Sequence, residues 1–383
     1  MTTAETLELL RTYESRNVTF VAPDGSWPIV WKSARGCHVR DAENRRYLDL
    51  TAAFGVAAAG HANPAVVRAG RRQMTVLLHA MGDVHPHAGK ALLARELSRL
   101  TFERWSTGPR GPREHGKALF ANSGFEAVEA ALKTARLATG RPGILAFENA
   151  YHGLGYGALN ATHRALFRAP FRDQLRGFGR FVPFPAAHAD PDQDAASLAT
   201  LEKRVRRRLE SGDIGAVLVE PIQARAGIVV PPSGFLGLLR RLCDEHGALL
   251  VLDEIYTGFG RTGRWFAADR EGVRPDLICL GKALTGGFPL SACVGRADLM
   301  DRAWPESRGE AIHTSTYLGH PVGCAMALAQ IRELERRKLP ERAERLGETL
   351  AEGLRAIARK VTRRDLRAEV RSVGLMAGLA LGD

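Results

Sequence analysis

Short runs of apolar residues, each followed by a polar group, recur through the middle of the chain. These runs lie at 143–147, 216–219, 248–252 and 277–280. Each run is long enough for a buried strand, and the segments between them are long enough for helices. That spacing is typical of a mostly parallel sheet covered on both faces. The pattern therefore predicts the α/β fold class.

The polar residues that follow these runs are the first candidates for chemistry, because open α/β sheets bind ligands at the carboxyl ends of their strands. In chain order they are Tyr151 and His152, Glu220 and Gln223, Asp253, and Lys282. A lysine after a buried strand needs a partner or loses its proton. A neutral amine can bond to a carbonyl carbon, whereas arginine stays protonated. Lys282 is therefore a candidate nucleophile, and a lysine that simply reaches solvent is the alternative.

A second candidate site lies between a predicted strand at 117–121 and a helical stretch that ends near Gly140. Ser123 and Glu126 have the spacing of a capping box, so one interpretation is a well-started helix. The other interpretation is that Ser123 and Gly124 hold a phosphate, because the free N–H groups and the dipole at a helix N-terminus favour anions. One junction can serve both purposes.

The two chain ends have a different pattern from the middle. Residues 28–50 predict short strands around turns, and 368–381 resembles strand material that follows two helical stretches. The length of 383 residues predicts either one large domain with a smaller companion or two domains of similar size.

Composition limits the classes of function. The 383 residues are 45% hydrophobic, and no apolar run has the length of a bilayer span or a signal peptide, so a cytoplasmic enzyme without membrane contact is predicted. The five cysteines are scattered, without a C-x-x-C pair, which argues against a disulfide framework or a zinc site. His85 and His87 have no third ligand nearby, so no metal is predicted.

The net charge of +12 comes mostly from arginine. No aromatic residues interleave with a basic patch, so nucleic-acid binding is not expected. A basic surface that steers anionic substrates explains the charge better. The segment 258–263 matches G-x-G-x-x-G, but no amphipathic helix follows it, so a nicotinamide or flavin site is not predicted.

Several longer motifs occur together in one order along the chain. They are ANSGFEAVEAALKTAR from Ala121, AYHG from Ala150, VEPIQ from Val219, LVLDEIYTGFGRTG from Leu250, GKALTGGFPLSA from Gly281 and TSTYLGHP from Thr314. The set resembles the class III aminotransferases, the pyridoxal-phosphate enzymes that include ornithine, acetylornithine, 4-aminobutyrate and putrescine transaminases. The resemblance implies the fold of pyridoxal-phosphate-dependent transferases of fold type I, with a large α/β domain at 53–317 and a small α+β domain assembled from 1–52 and 318–383. It also implies a ping-pong transfer of an amino group from a primary amine or ω-amino acid to a 2-oxo acid.

The resemblance also implies catalytic roles. Lys282 would carry pyridoxal 5'-phosphate covalently and, once released by the substrate amine, would move the proton between the substrate's Cα and the cofactor's C4′. Asp253 would pair with the protonated pyridine nitrogen, so that the ring can accept electrons. Ser123 and Gly124 match the phosphate-binding positions. Thr316 matches a residue that reaches the phosphate of the partner subunit, which implies a homodimer.

The remaining cofactor contacts are implied in the same way. Tyr151 and Ile255 would lie on opposite faces of the pyridine ring, and Gln223 would hydrogen-bond near its 3' oxygen. Glu220 would support these contacts, and His152 completes the cofactor-binding set. A pure core role is the alternative for Tyr151 and Ile255.

Departures from the family pattern leave the substrate open. Leu154 stands where many relatives carry a carboxylate-binding arginine. Arg225 stands where ornithine and 4-aminobutyrate enzymes often carry glutamate, and it either binds a carboxylate or points away. The segment from Ala158 resembles the putrescine branch, which favours a terminal amine donor.

The chain also ends earlier than members of this family usually do, so the C-terminal part of the small domain is expected to be truncated. Two alternatives to transamination remain, of which only the second is suggested by the early chain end. One is a mutase or decarboxylase that uses the same cofactor, and the other is a cofactor-binding homologue with impaired catalysis.

Overall fold

The structure is a computed structural model that describes residues 1–106, 114–362 and 366–382, so Asp383, the last residue of the predicted small domain, lies outside the described residues. The strands are β1 (Trp31–Arg35), β2 (His38–Asp41), β3 (Arg46–Leu48), β4 (Gly116–Ala121), β5 (Gly143–Phe147), β6 (Gly179–Val182), β7 (Ile214–Val219), β8 (Leu249–Asp253), β9 (Leu277–Leu280), β10 (Ser291–Arg296), β11 (Arg367–Val373) and β12 (Met376–Gly382). The helices are α1 (Thr3–Tyr13), α2 (Ala52–Gly55), α3 (Pro64–Val76), α4 (Ala88–Ser98), α5 (Gly124–Thr139), α6 (Tyr156–Ala161), α7 (Ala165–Arg168), α8 (Pro191–Leu209), α9 (Phe235–His246), α10 (Ala297–Ala303), α11 (Pro321–Arg336) and α12 (Leu339–Val361).

Seven strands form one sheet in the order β4-β10-β9-β8-β7-β5-β6. The neighbours from β9 to β6 run parallel, whereas β10 runs antiparallel to both β9 and β4. The predicted α/β class with a mostly parallel sheet is therefore confirmed.

Side chains alternate between the two faces of this sheet, as the two-residue period of a strand requires. On β5, Leu145 and Phe147 pack in the same cluster as side chains of α8 and α9. Ile144 and Ala146 pack instead with α5, α6 and α10 on the opposite face. Burial on both faces explains why the sequence of this strand is a continuous apolar run.

The chain ends form two smaller antiparallel sheets, β1-β2-β3 and β11-β12. The turn between β2 and β3 falls in the segment predicted to fold as short strands, and α12 packs along β11. The domain boundaries at 52/53 and 317/318 stay a prediction.

The glycine segment 258–263 forms turns, and a 3-10 turn at Ala267–Arg270 follows it. A Cβ on Gly260 would lie 3.0 Å from Pro340, so this segment packs closely against the start of α12. His87 accepts a hydrogen bond from the N–H of Lys90 at 3.3 Å and begins α4. Within the described ranges, no group of three or more His, Cys, Asp or Glu side chains is arranged to hold a metal ion.

None of the helices in those ranges combines the length and apolar character that crossing a membrane requires. The cytoplasmic location stays a prediction.

Candidate active site

A cavity of about 590 Å³ lies at the carboxyl ends of the central parallel strands. Its lining includes seven of the predicted site residues, which are Gly124, Tyr151, His152, Glu220, Asp253, Ile255 and Lys282. These residues are far apart along the chain, so the parallel sheet is what brings them together. A larger cavity of about 760 Å³ lies beside α5 and β6, but no predicted site residue lines it.

Lys282 follows the end of β9 in a strained backbone conformation. Its φ of 39° is left-handed, which costs a residue other than glycine about 1–3 kcal/mol. Its Nζ lies 4.2 Å from the centre of the Tyr256 ring. Burial lowers the pKa of Lys282, the charges of Asp253 and Glu220 oppose this shift, and the charge of Arg225 adds to it. The net result is an amine that gives up its proton more readily than a free lysine.

Asp253 ends β8 and forms a buried pair with His152. The Nδ1 atom of His152 lies 2.7 Å from Oδ2 of Asp253, and the N–H of Ile255 donates to Oδ1 at 3.1 Å. The aspartate side chain is only 5% exposed, so its charge is little screened by water. Nε2 of His152 is buried without a hydrogen-bond partner in the described part of the chain. A bound group or a water molecule would supply that partner.

Glu220 supports the loop that carries Tyr151. Its carboxylate accepts hydrogen bonds from the N–H of Tyr151 at 2.9 Å and from the N–H of Ala224 at 3.2 Å. Burial raises the pKa of Glu220 to about 7, with His152 opposing the shift and Asp253 adding to it. Glu220 therefore changes its protonation state close to neutral pH.

Gln223 does not line the cavity but lies just beyond Glu220. Its Nε2 donates to the carbonyl oxygen of Glu148 at 2.8 Å. Its backbone also pairs with Val229, in a short antiparallel bridge. Gln223 thus ties the loop after β7 to the end of β5, and its contact with a cofactor oxygen stays a prediction.

Ser123 and Gly124 stand at the start of α5. The N–H and hydroxyl of Ser123 both donate to Oε2 of Glu126, at 2.7 and 3.1 Å. The hydroxyl of Ser291 donates to the carbonyl oxygen of Ser123 at 2.6 Å, which fixes the helix start to β10. The first N–H groups of a helix have no partner inside the helix, so they can bind an anion. The helix-start interpretation is thus realised, and the phosphate role stays a prediction.

Tyr151 and Ile255 both line the cavity. The ring of Tyr151 meets Phe167 edge to face, with centroids 5.6 Å apart. Ile255 packs against Gly124, where an added Cβ would come within 3.1 Å of its Cδ1 atom. The cavity therefore has apolar walls near its charged groups, and the placement of a flat ring between Tyr151 and Ile255 stays a prediction.

The lining also includes residues that the sequence analysis missed. Tyr256 contacts Lys282, and its position three residues after Asp253 was a usable signal. Phe54 also lines the cavity, although the other lining residues lie at 124–282, and nothing in the sequence around Phe54 predicts this position. Thr316 is a predicted site residue, but it is exposed and does not line the cavity of its own chain.

These residues fit pyridoxal phosphate. Covalent attachment of the cofactor through its aldehyde requires an amine with a lowered pKa, which Lys282 supplies. A protonated ring nitrogen requires a buried carboxylate, which Asp253 supplies. A phosphate requires N–H donors, and the N–H groups of the first turn of α5, which begins at Gly124 beside the cavity, have no carbonyl partner within the helix.

Residues 20–383 match the family described as Aminotransferase class-III. The acetylornithine aminotransferase of Methanosarcina mazei is 37% identical over 357 residues, which cover 93% of this chain and 80% of that protein. The acetylornithine aminotransferase of Methanopyrus kandleri is also 37% identical over 357 residues, with 93% and 82% covered.

A solved structure gives the same picture of the fold. The taurine:2-oxoglutarate aminotransferase of Bifidobacterium kashiwanohense, in complex with pyridoxal phosphate and glutamate, superposes with a TM-score of 0.88. That comparison covers 100% of this chain and 83% of the other, at 25% identity.

Proposed function

We propose that this chain, which belongs to the class-III aminotransferase family, uses Lys282 and Asp253 as its catalytic residues. Family membership confirms the predicted fold type, the cofactor pyridoxal phosphate and transamination as the reaction. The relatives named above are aminotransferases, which does not favour the mutase or decarboxylase alternative.

The observation that carries the proposal is the placement of an amine and a carboxylate in one cavity. Pyridoxal phosphate, when bound, supplies an aldehyde and a ring that withdraws electrons from the substrate. Asp253 would hold a protonated ring nitrogen, and its contact with His152 keeps the carboxylate oriented. Nζ of Lys282, with its lowered pKa, would take the proton from the substrate's Cα and deliver it to the cofactor carbon that carries the aldehyde.

The other predicted residues would bind and orient. Ser123 and Gly124, at the start of α5, would hold the phosphate. Tyr151 and Ile255 would confine the ring from its two faces. In this proposal Gln223 contributes a contact beside the ring oxygen, and Glu220 keeps the Tyr151 loop in place through the hydrogen bond to its N–H.

Reduction with borohydride after addition of the cofactor tests the assignment of Lys282. We expect one labelled peptide, the one containing Lys282, and no labelling in the Lys282→Ala variant. Lys90→Ala is the matched control, because burial also lowers the pKa of Lys90 and it does not line the cavity. A label on Lys90, or on any peptide of the Lys282→Ala variant, would refute the assignment.

We also propose that two copies of the chain form the working enzyme. Thr316 lies outside the cavity of its own chain, as a residue that serves a partner would. Several large apolar side chains in the first 80 residues are exposed in the single chain and would be covered by a partner. They include Tyr13, Val18, Phe20, Leu50, Phe54 and Val76.

Subunit complementation tests this arrangement. The single variants Lys282→Ala and Thr316→Ala each impair every site of their own homodimer. A mixed dimer combines the intact Lys282 of one subunit with the intact Thr316 of the other in a single complete site. We expect activity to rise when the two variants are unfolded and refolded together, and no rise would contradict a role for Thr316 across the interface.

A further inference from the structure

Arg225 is held over the cavity by aromatic rings. Its guanidinium carbon lies 4.2 Å from the centre of the Tyr151 ring and 5.6 Å from that of Phe167. Tyr151 and Phe167 in turn pack edge to face. A flat cation stacked on rings is restrained in orientation while its N–H groups remain open to other partners. The structure therefore settles that Arg225 lines the cavity and does not point away from it.

The charge of Arg225 has no acidic partner in the part of the chain that the structure describes. Among the described residues, no aspartate or glutamate forms a salt bridge with Arg225, and its side chain makes no hydrogen bond. Many other arginines of this chain do have carboxylate partners, such as Arg240 with Asp276. An arginine with free N–H groups at a ligand cavity is suited to a carboxylate, which it can bind with two parallel hydrogen bonds.

The cavity that Lys282 and Arg225 share is lined in part by apolar and aromatic side chains. The amine of Lys282 lies over the ring of Tyr256, and the guanidinium of Arg225 lies over the ring of Tyr151. Phe54 and Ile222 also line the space. Apolar walls accept a methylene chain, and Arg225 would repel a second ammonium group that reached its end of the cavity.

We propose that Arg225 determines substrate specificity by binding the distal carboxylate of an ω-amino acid, whose amine is placed at Lys282. This inference rests on the proposed transaminase function and names the donor class for it. The diamines would then be poor donors, because their second positive charge would meet Arg225.

Donor pairs that differ only in the distal group test the proposal. The holoenzyme is mixed with 5-aminopentanoate or with pentylamine, and the half-reaction is followed by the absorbance of the cofactor. In Arg225→Gln, the ratio of kcat/KM for 5-aminopentanoate over pentylamine should fall about 10- to 100-fold, the range of a lost charge-assisted hydrogen bond. Arg225→Lys keeps the charge and should recover part of the ratio. Arg164→Gln is the matched control, since Arg164 also lies over Phe167, at 5.8 Å, but does not line the cavity.

Binding of pentanoate, which has no amine and cannot react, gives a second measurement. Calorimetry should show a dissociation constant about 10-fold or more higher in Arg225→Gln than in the wild-type holoenzyme and in Arg164→Gln. An unchanged donor ratio together with unchanged pentanoate affinity would overturn the proposal. If neither donor reacts with the wild type while pentanoate affinity still depends on Arg225, the transaminase proposal fails and the carboxylate site stands.

Discussion

Replacing Gly153 with alanine should displace the two residues that precede it, Tyr151 and His152. Gly153 has a φ of 114°, a conformation that side chains rarely adopt. An added Cβ would lie 2.2 Å from the Cβ atom and 3.0 Å from the Cα atom of Phe125. A new side-chain rotamer of Phe125 cannot relieve the contact, because both atoms are fixed to the first turn of α5.

The magnitude follows from these distances. Carbon atoms pack at about 3.5–4.0 Å, so the loop and the helix would have to separate by more than about 1 Å. Backbone strain of about 1–3 kcal/mol and overpacking of about 1–3 kcal/mol both oppose folding. Alanine also reduces the conformational entropy of the unfolded chain relative to glycine, which offsets about 0.4–1 kcal/mol of this cost. We therefore expect Gly153→Ala to lower the free energy of unfolding by about 2–5 kcal/mol.

Gly212→Ala is the matched control, because Gly212 has a φ of 76° but no atom within 4 Å of an added Cβ. It should cost no more than about 1–2 kcal/mol. Thermal unfolding and a cofactor titration followed by absorbance would be compared for both variants. Gly153→Ala should show the larger loss of stability and a weaker affinity for pyridoxal phosphate. Equal behaviour of the two variants would refute the view that close packing on Phe125 positions the Tyr151 loop.

Three further predictions concern other parts of the chain. Asn63→Ala should cost about 1–3 kcal/mol in urea unfolding, because Asn63 caps α3 and its amide also donates to buried Glu333 at 3.2 Å. Asp253→Asn keeps the shape of the side chain but removes its charge, so kcat should fall about 10- to 100-fold, while surface Asp301→Asn should not change it. Glu220→Gln should make the stability of the cofactor-free chain less dependent on pH. The pKa of Glu220 is about 7 in the folded chain, above the ordinary glutamate value of 4.5, so the folded chain binds the extra proton. Stability should therefore fall by about 3 kcal/mol as pH rises from 4.5 through 7, and this loss should be absent in the variant.

Each of these predictions has an outcome that contradicts it. An unchanged urea midpoint in Asn63→Ala would show that the cap and the amide bond contribute little. Equal kcat values for Asp253→Asn and the wild type would remove Asp253 from the catalytic set. For Glu220→Gln, a pH profile parallel to that of the wild type would mean that this carboxyl group does not titrate near neutral pH.

The sequence by itself determined the features that depend on neighbours along the chain. The apolar runs form buried parallel strands. A strand that is buried on both faces has no solvated face, so its sequence shows no alternation of apolar and polar residues, and the runs could be recognised. Ser123 marks the start of a helix because a cap requires only residues within the following turn. Asp253 and Lys282 were found because the carboxyl ends of parallel strands share one edge of the sheet.

The tertiary structure alone decided which distant side chains share the cavity and how they are directed. Phe54 lines the cavity although it is far in sequence from the other lining residues. The sequence left the direction of the Arg225 side chain undecided, and its contact with the ring of Tyr151 determines it. The antiparallel course of β10 and the left-handed backbone of Lys282 were also not predicted. These features depend on contacts between residues far apart in sequence, and no local period or spacing encodes the direction of a side chain across such a contact.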